Sequence, residues 1–298
     1  MTPPFRTLTT GLALLAALAI APRAVAATQE EPPAETEELK RLEAWPEVDD
    51  DAVSFEIERL RKARTPEMGE QATAALIEIG AGAAPKLLAK FGREKDEDAT
   101  ERMLEILDTV TGAPHTRLLA EFFGDKQLRT RTWCLQRVAQ FPDDGVKTAA
   151  EAAFTAADKR KRGRDEEEVW AAAVCAASSG SLIGFDVITA DSKTNWKDHG
   201  EITHVALTAL RGPEATKRVA PLLEGDRKQK VAGLRLLAAC GDKETATPLV
   251  RPILDTTDNS LLVGAINALR GIVDGDPPLG KLPTFEAIER AKKWKSRL

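Results

Sequence analysis

Tyrosine is absent from the 298 residues, and all aromatic residues together make up 5% of them. A core of any size must therefore be built from Ala, Leu, Val and Ile. Cysteine is nearly as scarce. Cys134, Cys175 and Cys240 lie 41 and 65 residues apart, which excludes a CxxC metal or redox spacing. Each stands in an apolar stretch (TWCLQRV, AAVCAAS, LAACGD), the usual setting of a small buried thiol, although a Cys134 to Cys175 bridge stays open in an oxidising compartment. The three histidines, His115, His199 and His204, make no HExxH, and there is no GxSxG, no P-loop and no GxGxxG after a strand. Strand-like alternation is missing too; SLIGFDVITA, residues 181 to 190, is the single β-like run.

Basic excess is also lacking. The first 26 residues have a cationic start at Arg6, an apolar run from Gly11 to Ala21, and small residues at Ala24 and Ala26, the three-part shape of a secretory signal cleaved after Ala26. That run is about half of the roughly 20 residues a spanning helix needs, so a cleaved signal is favoured over an anchor, and no later stretch is long and apolar enough for stable membrane insertion. The chain beyond Ala26 has 40 basic and 47 acidic residues, a net charge of −7. Such a balance gives no general attraction to nucleic acid or anionic membrane. The expected setting is periplasmic or secreted.

Residues 27–52, ATQEEPPAETEELKRLEAWPEVDDDA, read as an acidic, proline-containing solvated tether, with spacing that allows a helical turn around Glu35 to Trp45. From residue 53 the apolar spacing is helical to the end. Apolar runs close at Gly80, Gly112, Pro142, Gly180, Gly212, Gly241 and Gly271, at intervals of 32, 30, 38, 32, 29 and 30 residues. Glycine suits the left-handed turn after a helix and proline cannot continue one, so the punctuation predicts seven similar units. KLLAKF at 86–91 returns as RLLAEF at 117–122, and PLLEGD at 221–226 echoes both. Asp226 and Asp258 each stand five residues before a valine, where an aspartate caps a helix start. A unit of this kind is a helix, a turn and a second helix. Small residues on the first helices (Ala72, Ala75, Ala206, Ala209, Ala232, Ala265 and Ala268) are expected to let helices approach closely.

The order of aspartate cap, V-A-x-x-x-L face, glycine turn and (A/V)-x-P-L-L, as in ALIEIGAGAAPKLLAKF and VALTALRGPEATKRVAPLLEGD, resembles HEAT-like repeats of the phycobilisome-lyase type over residues 53–280. The resemblance implies an all-α fold, a right-handed α-solenoid of about seven antiparallel helix pairs, and a binding scaffold for a protein, peptide or extended polymer rather than an enzyme. Residues 281–298 are expected to form a capping helix with Phe285, Ile288 and Trp294 inward. Some proteins with such repeats are di-iron hydroxylases that use His-Glu pairs; here Thr116, Gly200 and Val205 follow the histidines, which excludes that pattern. Bilin lyases share the repeat type, but an export signal argues against pigment chemistry inside a photosynthetic cell.

No cofactor and no catalytic residue is expected. The competing reading is an enzyme or a metal or cofactor carrier centred on DHGEITH, residues 198–204. Five residues on a helix turn through about 500°, so the rings of His199 and His204 diverge and a polar helix start is the better reading. For partner binding the candidates are Lys86, Lys90, Arg117, Lys217 and Arg251 on second helices, a cationic stripe able to receive an acidic peptide or polysaccharide. The ordinary alternative is solvated cations whose stems cover apolar surface. KRKRGRDEEE, residues 159–168, falls in the long 38-residue interval and reads as a charged junction, with its bases closing one helix and its acids opening the next.

Overall fold

The computed structural model describes residues 41–298, which belong to a single compact unit, and residues 1–26, read above as a secretory signal cleaved after Ala26, lie outside the described residues. The chain is all-α. Its helices are α1 (Asp50–Arg61), α2 (Pro66–Ile79), α3 (Ala84–Phe91), α4 (Glu97–Val110), α5 (Thr116–Ala120), α6 (Leu128–Ala139), α7 (Lys147–Asp158), α8 (Glu166–Ser178), α9 (Phe185–Asp191), α10 (Trp196–Thr208), α11 (Pro213–Glu224), α12 (Arg227–Cys240), α13 (Lys243–Val250), α14 (Asn259–Leu269) and α15 (Thr284–Arg297). No strand occurs among the described residues. SLIGFDVITA, β-like in pattern, supplies α9 instead, because Phe185 and Ile188 stand one helical turn apart and both are buried.

Capping explains where several helices begin. Asp226 Oδ1 accepts from the Gln229 amide at 2.8 Å while Gln229 returns a bond to the Asp226 amide, and Asp258 Oδ1 accepts from Ser260 at 2.8 Å. Asp165 caps α8 in the same way, so the acids of KRKRGRDEEE open that helix and residues 159–164 form the junction after α7. The junction charges are used locally: Arg164 pairs with Asp158 and Glu166.

Helices packed against one another in chain order build a continuous core. α6 packs on α8, α8 on α10, α10 on α12, and α12 on α14, while α7 and α9 flank α8, and α11 flanks α12. α8 lies at the centre, with every side chain from Glu168 to Ser178 buried. Its run of alanines fits that position, since a helix apolar all round can be covered on every side only if its neighbours come close. Among the small residues expected at helix contacts, Ala72, Ala206, Ala232, Ala265 and Ala268 are buried, whereas Ala75 is half-buried and Ala209 exposed.

The turn residues do not all work by one mechanism. Gly80 and Gly180 have φ of 82° and 80°, the left-handed region that disfavours a side chain. Gly241 has φ −65° and is crowded instead: a Cβ there would lie 2.6 Å from the Leu237 carbonyl oxygen. Gly271 does not end its helix. It sits inside the wide turn Arg270–Asp274 that continues α14, with the left-handed residue at Gly275, and a Cβ on Gly271 would fall 1.9 Å from the Ala238 carbonyl oxygen of α12. That glycine serves close helix approach.

Both ends depart from expectation. The segment before α1 is not a free tether over residues 41–49. Arg41 donates to the carbonyls of Ala113 at 2.6 Å and Pro142 at 3.0 Å and pairs with Asp143 at 3.1 Å, and the Trp45 ring stacks on His115 with centroids 5.6 Å apart. Helix α1 then starts at Asp50, three residues earlier than the periodicity suggests, because Asp49 caps it. At the other end α15 packs on α14 through Ala287, Ala291 and Trp294, while Phe285 and Ile288 point outward, 77% and 41% exposed. Asn267 positions the approach to α15 by accepting from the Leu279 amide at 2.8 Å and donating to its carbonyl at 3.2 Å.

Candidate functional site

The cationic positions taken from the repeat match do not form a free stripe. Lys86 donates to the Asp50 carbonyl at 2.7 Å and pairs with the Asp50 carboxylate at 3.1 Å. Lys90 lies 3.7 Å from Glu58, and Arg117 3.5 Å from Asp143. These three cations pin second helices to acids of their own chain, and the capacity to attract a further acid falls accordingly. Lys217 and Arg251 are exposed and make no ion pair among the described residues.

The strongest concentration of charge lies around α8. Glu168 is 3% exposed and is held by two guanidinium groups: Arg131 Nε donates to Oε1 at 2.6 Å and Nη2 to Oε2 at 3.1 Å, and Arg160 adds a second fork. Burial by itself pushes the Glu168 carboxyl up; the bonds from Arg131 and Arg160 outweigh it and hold the group below its ordinary value. Two residues further along α8, Trp170 is stacked by the His199 ring, with centroids 3.7 Å apart. Its Nδ1 faces Asp191 of α9 at 3.0 Å and its Nε2 faces Glu167 of α8 at 3.2 Å. Burial pushes His199 down, but the two carboxylates more than offset that and raise it from 6.5 to about 9. His204, five residues on, is driven the other way by burial and by Arg211. The ring divergence expected from the spacing is what separates them.

Chemically the His199 cluster is closed. With a carboxylate on each nitrogen the imidazole is a cation that clamps α10 to α8 and α9, with no lone pair for a metal and no free position for a proton acceptor. Among the described residues no three His, Cys, Asp or Glu side chains gather to hold a metal ion. Cys134, Cys175 and Cys240 are free and buried, and burial raises all three thiols, so none is a thiolate nucleophile in the folded chain.

An open groove of about 550 Å³ occurs instead in the last third of the chain. Leu223 at the end of α11, Pro248 and Leu249 of α13, Pro252 and Ile253 beyond it, and Leu261 of α14 line it together with Glu224, Lys230, Asp255 and Thr256. Pro248 and Pro252 cannot donate to the helix ladder, and the chain tightens after Val250 into the turn Arg251–Asp255, which leaves the hollow between α12 and α14. A smaller hollow of about 190 Å³ adjoins it across Asp255 and Thr256 and reaches Ile288 and Lys292 of α15. The groove, Glu168 and the Asp191–His199–Glu167 arrangement are not marked by any motif; only the prolines four apart in TPLVRPIL hint at the groove.

No protein-family model and no curated protein matches the chain. An engineered protein of known crystal structure aligns with 80% of this chain and 71% of its own, at 17% identity and a TM-score of 0.39. A likeness of that size carries nothing further to this chain. The class the fold defines is an all-α protein of helices packed in chain order.

Proposed function

We propose that this protein is an exported, non-catalytic scaffold of HEAT-like repeats, arranged as a right-handed α-solenoid, that binds a protein or peptide partner. The observation that carries the reading is the open groove at α11 to α14, lined by Leu223, Leu249, Ile253 and Leu261 together with Glu224, Lys230 and Asp255. Leu223, Pro248 and Leu249 on second helices supply part of its lining, and second helices are the elements that present equivalent positions on successive repeats. The six successive helix pairs from α2/α3 to α12/α13, the aspartate caps and the period of about thirty residues support the repeat assignment. The signal-like start supports export. Against a metal carrier centred on residues 198–204 stands the carboxylate that each nitrogen of His199 already faces.

Affinity capture from the exported fraction of the host tests this reading, with the wild-type chain and Leu249→Glu compared side by side. Leu249 is 37% exposed, so a charge there spoils the groove without opening the core. The expected result is a partner retained by the wild type and lost from the variant. Identical recovery by both chains would remove the groove from the account.

A further inference from the structure

We propose that the loop between α7 and α8 is a proteolytic processing site, at which an endoprotease specific for Lys or Arg cuts the folded chain once, after Lys161 or Arg162, into two pieces that stay together. Residues 159–164, KRKRGR, hold five cations in six positions, and residues 161–164 are all exposed. A protease takes its substrate as an extended strand and bonds to its backbone, so a cut requires exposed residues whose own N–H and C=O groups are free. Residues 161–164 meet that need. None of their backbone groups bonds to another among the described residues, and Gly163, with φ of 66°, keeps the loop from continuing either helix. Elsewhere the cations between helices stand where the backbone is tied. The amides of Arg93, Lys193 and Arg211 donate to carbonyls one turn back at 3.0, 3.3 and 3.3 Å, Lys126 lies between Asp125 and Gln127, themselves joined at 2.7 Å, and Lys281 lies between Leu279 and Leu282, both bonded to asparagines of α14. Arg64 is the least tied of them, but Thr65 directly after it accepts from the Gly69 amide at 3.3 Å and opens α2.

Ion pairs narrow the cut and hold the pieces. Arg160 is bound to the buried Glu168, and Arg164 to Asp158 at 3.1 Å and to Glu166, so neither guanidinium is free to enter the acidic pocket of such a protease. Lys161 and Arg162 have no acid partner among the described residues. The same pairs cross the loop: Arg160 precedes the cut and Glu168 follows it, while Asp158 precedes it and Arg164 follows. Beyond the loop, α6 and α7 both pack on α8, and Arg131 of the first piece grips Glu168 of the second. The step is hydrolysis: water adds across the peptide bond, and for the cut after Arg162 the Arg162 carbonyl carbon becomes a carboxylate and the Gly163 nitrogen an amine, with no transfer of electrons. The product is a two-chain molecule whose halves share one core.

Limited digestion of the wild-type chain with trypsin under native conditions tests this, read by the mass and N-terminal residue of each fragment whose new end lies between α1 and α15. The expected first cut leaves a fragment beginning at Arg162 or Gly163, and the two fragments elute together at the size of the intact chain until urea is added. Because unfolding then releases two chains, the urea midpoint of the nicked form rises with its concentration, by about 0.7 M for each tenfold, while that of the intact chain does not. Lys161→Gln/Arg162→Gln changes two exposed side chains, so its melting temperature matches the wild type, and it is nicked in this loop about tenfold more slowly. A first cut elsewhere between α1 and α15, fragments that part without denaturant, or a double variant cut in this loop at the wild-type rate would each overturn the proposal.

Discussion

Replacing His199 with glutamine removes the positive charge held between Glu167 and Asp191 while keeping a side chain of similar reach. The folded-state value of His199 lies at about 9, above the ordinary 6.5. A group raised on folding stabilises fully below its unfolded value, so the contribution is complete under pH 6.5 and lost as pH climbs through about 9. At about 1.4 kcal/mol per unit, a shift of this size is on the order of 3 kcal/mol. Glu167 is 46% exposed, and solvent screening of that arm lowers the expectation to about 2 kcal/mol. Urea unfolding at about pH 6 and pH 10, followed by tryptophan fluorescence, reads this directly. With a slope of about 2 kcal/mol per molar urea, the wild type should unfold about 1 M later than His199→Gln at the lower pH. At the higher pH the gap should shrink to a few tenths molar, about the contribution of stacking on Trp170. A gap of equal size at both pH values would refute the reasoning, since the role of His199 would then lie in packing and not in charge.

Three other outcomes follow from the packing. Glu168→Gln leaves Arg131, whose side chain is 12% exposed, without a counter-charge, and should cost about 3 kcal/mol, read as a fall in melting temperature of about 6–12 °C. Because the Glu168 carboxyl is held below its ordinary value, the wild-type advantage over Glu168→Gln should persist above about pH 5 and fade as the medium is acidified through the folded value. Gly271→Ala forces a Cβ against the Ala238 carbonyl and should destabilise by about 3 kcal/mol in chemical denaturation, whereas Gly112→Ala, which meets nothing closer than Pro114 Cδ at 3.9 Å, should stay within about 0.5 kcal/mol of wild type. Labelling of Cys134, Cys175 and Cys240 by a thiol reagent should be negligible in the native chain and appear for all three together in urea, since all are buried; selective native labelling of one thiol would contradict the packing.

Much of the architecture is legible in the residues. Helical periodicity, aspartate caps and turn positions are local properties, and of the seven turn positions read from the sequence the helices end at or shortly before all but Gly271. That exception is instructive: Gly271 is required by the backbone of α12, which lies more than thirty residues away in sequence. The outward turn of Phe285 has a similar cause. A lone amphipathic helix does not announce which of its apolar residues meets a neighbour, and on α15 the alanines and Trp294 face α14. Arg41 and Trp45 read as part of an acidic linker because their partners at residues 113, 115 and 142 are distant. The candidate cations were legible as cations but not as partners of Asp50, Glu58 and Asp143.

By itself the sequence determined an all-α chain, the succession of helix and turn, and the absence of local catalytic motifs, because each of these is written in spacings shorter than one repeat. Only the tertiary structure decided that His199 is a clamped cation, that Glu168 is a buried anion between two arginines, that an open groove lies in the last third, and which glycines matter for approach rather than for turning. Those properties depend on which helices become neighbours, and burial, pairing and charge acquire their energies only from neighbours.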